Sequence, residues 1–126
     1  MGMTPKEVVE AYNYELWNKQ NYELGAQIIA DKVTRYYPGK TQTMTREEAL
    51  QRVKDSYANT LPTVEFKIPK LLAEGEYVTL FWEMFAKTMD GDDMTYSSIE
   101  VFRVVDGKIT EFWNPTYTEG SNGVWG

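Results

Sequence analysis

Up to about residue 60 the apolar positions recur at helical spacing, and beyond Leu61-Pro62 they alternate as strand positions do. Thr4-Pro5-Lys6-Glu7 combines a capping Thr, a Pro at the first helical position and a Glu three residues on, so a helix starts there. Val9, Tyr12 and Leu16 form its stripe, flanked by Val8, Ala11 and Trp17, and the pattern fades at Asn18-Lys19-Gln20. Asn21 caps a second, shorter helix carrying Leu24, Ile28 and Ile29, and Val33 to Tyr37 reads as a short strand stopped by Pro38-Gly39. A second capping box, Thr45-Arg46-Glu47-Glu48, opens a third helix. Its buried side takes Ala49, Leu50, Val53 and Tyr57, and its exposed side Glu47, Gln51, Arg52 and Asp55.

The second half predicts four strands, 63–73, 76–89, 94–105 and 108–117, divided by Glu74-Gly75, Asp90-Gly91-Asp92-Asp93 and Asp106-Gly107. Asp and Gly tolerate the positive φ of a type I′ turn, so Asp106-Gly107 is the strongest hairpin signal in the chain. The expected class is α+β: helices covering one face of a long antiparallel meander, in a single domain over 1–126 with 118–126 as a loose tail. Along the second strand Val78, Leu80, Trp82 and Met84 share one face, but Phe81 and Phe85 make the opposite face apolar too. No helix remains to cover that outer face, which predicts a homodimer formed through it. The alternative is a monomer in which Val124 and Trp125 fold over it.

Composition narrows the chemistry. A net charge of −6 opposes binding to nucleic acid, and 42% hydrophobic with 25% charged residues describes an ordinary globular chain. The chain has no Cys and no His, which removes thiolate nucleophiles, Ser-His-Asp catalysis and His or Cys metal sites. Asp90, Asp92 and Asp93 lack the spaced ligands of a calcium loop and read as a solvated turn. Neither a signal-peptide core nor a run of ~20 apolar residues occurs, so a cytoplasmic protein without membrane contact is expected. Four Trp and nine Tyr suit the walls of an apolar pocket, or equally a filled core.

The order of elements resembles the SnoaL-like group of the nuclear transport factor 2-like superfamily. The resemblance is carried by Glu10-Ala11-Tyr12-Asn13 through Trp17-Asn18 and by Val101 to Trp113 with its Asp-Gly-Lys-Ile centre. It implies a cone in which three N-terminal helices wrap a curved antiparallel sheet around a deep apolar pocket, commonly in a dimer. It also implies a small apolar ligand and no metal or nucleotide cofactor. Laid on this chain, the Asp-Arg-Asp set of limonene epoxide hydrolases finds Trp82 at the Arg, Met84 at the first Asp and Asn114 at the second, so that reaction is not expected. The pocket His of the dehydratase relatives is absent, and the late-strand acid of the polyketide cyclases corresponds to Asn114, or to Tyr117. An amide orients or polarises a carbonyl but does not titrate near neutral pH.

Three residues are then candidates for catalysis: Glu100, Tyr14 and Asn114. If Phe102 points inward, alternation carries Glu100 to the same face, where an aromatic pocket raises its pKa; the alternative is a Glu that meets water at the strand's open end. Tyr14 resembles in position the oxyanion donor of ketosteroid isomerases, or else packs its ring with its hydroxyl at the surface. Candidate substrate contacts are Trp17, Trp82, Met84, Phe102, Phe112 and Tyr117. The functions in play are a cofactor-free isomerase, cyclase or dehydratase moving a proton on an apolar carbonyl compound, a binding protein for an apolar ligand, or a dimeric structural module with a filled cone.

Overall fold

A computed structural model describes residues 2–115 and 123–125. Helix α1, Pro5–Ala11, begins with the expected capping box and runs without a break into a π-helical stretch, Tyr12–Trp17. Helix α2, Tyr22–Ile28, is capped by Asn21, whose side chain accepts from Leu24 N–H at 3.1 Å. A hairpin follows, β1 (Ile29–Tyr37) and β2 (Lys40–Thr45), and then helix α3 (Arg46–Asn59) with the second capping box. Strands β3 (Thr63–Glu74), β4 (Tyr77–Lys87), β5 (Asp93–Val105) and β6 (Lys108–Trp113) complete one sheet ordered β2-β1-β6-β5-β4-β3.

Several expectations need correction. The sheet is mixed, because β1 runs parallel to β6, and the three helices that the resemblance groups at the N-terminus are interrupted by a hairpin, of which the residue pattern places one strand. Ile29 opens β1 instead of ending α2, since a β-branched residue paired with Ile109 buries better in the sheet than at a helix terminus. Strand β2 escaped the pattern because it is an edge strand: of its six residues only Met44 is buried, so no apolar alternation marks it.

Asp106 and Gly107 both take positive φ, 51° and 75°, as the hairpin requires. Val78, Leu80, Trp82, Met84 and Ala86 of β4 face inward and are buried. They pack with Val8, Val9 and Leu16 of the first helix and with Val53 of α3. Edge strand β3 carries a register shift between Lys67 and Lys70, where Pro69 is tolerated. Asn18 stitches that edge to the first helix, accepting from Phe66 N–H at 2.6 Å and donating to Phe66 C=O at 2.9 Å. On the outer face Trp125 packs edge-on against Phe81, its indole N–H donates to Trp82 C=O at 3.1 Å, and its backbone N–H donates to Glu83 at 3.0 Å. Among the described residues, no helix is long and apolar enough to cross a membrane.

Candidate functional site

Between the helices and the inner face of the sheet lies a cavity of about 340 Å³, within the size range of small-molecule pockets. Its wall is largely apolar and aromatic: Tyr12, Trp17, Phe66, Trp82, Met84, Met94 and Tyr96 line it. Set among them are Asn13, Arg35, Arg52, Glu100 and Asn114.

Strand pairing brings the polar set together. Ser98, Glu100, Phe102 and Val104 share the buried face of β5. Trp82 lies opposite Ser98 on β4, one step along that face from Glu100, and its Nε1–H donates to Glu100 Oε1 at 2.6 Å. Beyond β6, Asn114 Nδ2 donates to Glu100 Oε2 at 2.7 Å. The parallel pairing of β1 with β6, with Arg35 opposite Phe112, sets Arg35 beside Asn114, and Arg35 Nε donates to Asn114 Oδ1 at 3.0 Å. This chain of bonds also orients the amide. A guanidinium only donates and must meet Oδ1, which leaves the NH₂ group for the carboxylate.

Glu100 is buried, and burial pushes its pKa up from the usual carboxylate value. The hydrogen bond from Trp82, the Arg52 charge, the hydrogen bond from Asn114 and the Arg35 charge all pull the other way without cancelling the burial. Arg35 is held below its ordinary value by burial and then by the neighbouring Arg52 guanidinium, though it remains protonated. Arg52 donates from one terminal nitrogen to the Tyr12 hydroxyl at 3.3 Å. Its guanidinium stands 5.9 Å from the Trp17 ring and 5.7 Å from the Phe112 ring.

Of the residues singled out in the sequence, Glu100, Asn114, Trp17, Trp82 and Met84 line the cavity. Phe102 and Phe112 do not; they stack at 5.6 Å in the closed core behind it. Tyr14 is not at the cavity either. Its hydroxyl accepts from Ile68 N–H at 3.0 Å, meeting a donor in the irregular stretch of β3. Tyr117 lies outside the described residues.

Arg35 and Arg52 were missed. Arg52 was expected to face solvent, yet it flanks the buried Ala49–Val53 row of α3 and turns with Ser56 and Thr60 to the cavity. For Arg35 a signal existed: it shares strand parity with the buried Val33. Asn13 was missed because the wide π turn, closed by Asn18 N–H to Asn13 C=O, lets consecutive residues Tyr12 and Asn13 both turn inward. Among the described residues, no three acidic side chains gather as a metal site would need.

The sequence profile of the SnoaL-like domain matches residues 9–112. The chain belongs to the SnoaL-like family. Solved structures of this SnoaL-like protein's fold include a putative polyketide cyclase from Acidithiobacillus ferrooxidans, 24% identical, covering 90% of this chain and 89% of that one with a TM-score of 0.77. A putative polyketide cyclase from Streptomyces antibioticus, IdmH, is 20% identical over 89% of this chain and 91% of its own, with a TM-score of 0.77. An LEH-like epoxide hydrolase from M. tuberculosis is 16% identical over 88% of this chain and 80% of its own, with a TM-score of 0.73. None of the curated proteins matches the chain by sequence. At these identities the likeness is one of fold, within which different chemistries occur.

Proposed function

We propose that this SnoaL-like protein catalyses cofactor-free proton transfer on an apolar carbonyl compound, as an isomerase, cyclase or dehydratase, with Glu100 moving the proton. The observation that supports this reading is a carboxyl group, that of Glu100, buried in the wall of an aromatic cavity, with a pKa raised by burial. A carboxyl tuned upward serves as base or acid nearer neutral pH than one in water.

Trp82 and Asn114 act as positioning residues. Each gives one hydrogen bond to one carboxylate oxygen, which fixes the plane of Glu100 and leaves the remaining lone pairs for the substrate. The oxygen of the substrate carbonyl needs a donor, and Tyr12 takes the place that Tyr14 was expected to fill. Its hydroxyl accepts from Arg52, so its own proton stays free to donate into the cavity that it lines.

The test is hydrogen exchange into 2-tetralone, a small bicyclic ketone with acidic C1 protons, followed by NMR in D₂O. The native protein is expected to accelerate loss of the C1 signal, and Glu100→Gln to reduce that acceleration by about 100-fold or more. Undiminished exchange in the Gln variant would remove Glu100 from the chemistry.

A further inference from the structure

Among the described residues the cavity is lined by two guanidinium groups and one carboxyl group, Arg35 and Arg52 against Glu100. Among the described residues neither arginine forms an ion pair; every ion pair lies elsewhere, on the outside of the molecule. Arg35 has its Nε–H bond to Asn114, and its guanidinium carbon stands over the Tyr37 ring, 4.2 Å from the centroid. Arg52 is less well matched. Of the five N–H donors of a guanidinium, it gives one to a neutral hydroxyl at 3.3 Å, and its buried Nε has no acceptor.

A positive group in an apolar wall is costly when its charge and its donors go unanswered. Glu100, the only acid lining the cavity among the described residues, answers it in part: its oxygens accept from Trp82 and Asn114, neither from an arginine, and its charge is shared between two arginines. With Glu100 ionised as a base must be, one unit of positive charge is left over among the described residues of the cavity. The chain as a whole runs the other way, with a net charge of −6, so this is a local feature of the cavity and not a consequence of a basic chain.

We infer that the molecule bound here is an apolar compound carrying a carboxylate, and that Arg52 receives it. This rests on the cavity being the ligand site proposed above, and it narrows the substrate to an oxo acid with an apolar ring body. A monoanion cancels the residual charge. A phosphate dianion would overshoot it beside Glu100, and a neutral ketone would leave it standing. The planar fork of Arg52 suits two parallel hydrogen bonds to a carboxylate. Seated there, the acid group anchors one end of the ligand, while Glu100 works on a carbon further along the aromatic wall.

Isothermal titration of the native protein with sodium 1-naphthylacetate and with neutral 1-naphthylacetamide tests this, since the two share a ring and differ in charge. The acid is expected to bind about tenfold or more tighter than the amide. In Arg52→Gln that preference should fall to about threefold or less, with a near-UV circular dichroism spectrum like that of the native protein as the sign that the pocket is intact. Arg52→Lys, which keeps the charge and loses the fork, should lie between. Equal affinity for acid and amide in the native protein, or a preference that survives Arg52→Gln, overturns the inference. If either happens while tetralone exchange persists, the proton-transfer reading stands without the anionic group. If neither probe binds and exchange is also absent, both readings fall together.

Discussion

Asn114 donates to Glu100 across 2.7 Å while its carbonyl oxygen accepts from Arg35 across 3.0 Å, so one amide joins the carboxyl group of Glu100 to the guanidinium of Arg35. This gives Asn114 a role that the bare sequence could not define. The resemblance leads to the expectation of an acid there; the amide instead holds Glu100, the group proposed to move the proton.

Asn114→Asp should therefore move the pH dependence of exchange instead of adding activity. The new carboxylate would lie within hydrogen-bonding distance of Glu100, and two acids so close titrate as a pair, with one pKa raised further. The expected outcome is a pH–rate profile for tetralone exchange displaced to higher pH. A profile that superimposes on that of the native protein would show that the amide does not tune Glu100.

The raised pKa of Glu100 also sets a direction for stability. The folded protein holds this proton more tightly than the unfolded chain, so it binds more protons between the two pKa values. The corresponding stability is complete below the ordinary carboxylate value near 4.5 and is lost as pH rises through the folded one. Denaturant unfolding across that range should show a falling component in the native protein that is missing in Glu100→Gln. The same slope in both would assign the effect to other groups.

Trp82→Phe keeps most of the ring and removes the donor to Glu100 Oε1. Leaving a buried carboxylate oxygen without its partner should cost ~1–3 kcal/mol, readable as a lower urea midpoint. It should also push the exchange profile to higher pH, because a hydrogen bond that favours the charged form is gone. A loss of stability with no movement of the profile would make Trp82 a packing residue alone.

Tyr14 is expected to matter for stability and not for chemistry. Tyr14→Phe removes the acceptor of Ile68 N–H and should cost ~0.5–1.5 kcal/mol, with tetralone exchange unchanged. A large fall in exchange with little change in stability would return Tyr14 to the mechanism.

Phe81, Phe85, Ile99 and Val101 are partly exposed on the outer face of the sheet, where Trp125 reaches Phe81. We propose that two copies pair through this face. Light scattering should then give twice 14.6 kDa, and Ile99→Glu should return the protein to a single chain. A native protein that scatters as a monomer contradicts this and leaves the C-terminal residues as the cover.

What the sequence could determine by itself is what local chemistry controls. Both capping boxes, the Asp106-Gly107 turn and the long strands β3, β4 and β5 follow from neighbouring residues, and each lies within a residue or two of where the pattern puts it. The parity that carries Glu100 inward with Phe102 is equally local. The partners of Glu100 are another matter. A simple two-residue hairpin would continue the pairing of Val105 with Lys108 and of Val104 with Ile109, and would set Glu100 opposite Trp113. Instead the register shifts by one residue after Val104–Ile109, so that Arg103 faces Glu111 and Val101 faces Trp113. That single extra residue turns Ile109 and Phe112 both inward, three positions apart, and brings Asn114 opposite Glu100. Strand alternation forbids such spacing, so it emerges only when burial of both side chains outweighs an unbroken ladder. The two arginines depend on still longer connections: a parallel pairing joins Arg35 to a residue 79 positions away, and α3 settles Arg52 over a cavity that exists only once the sheet has formed.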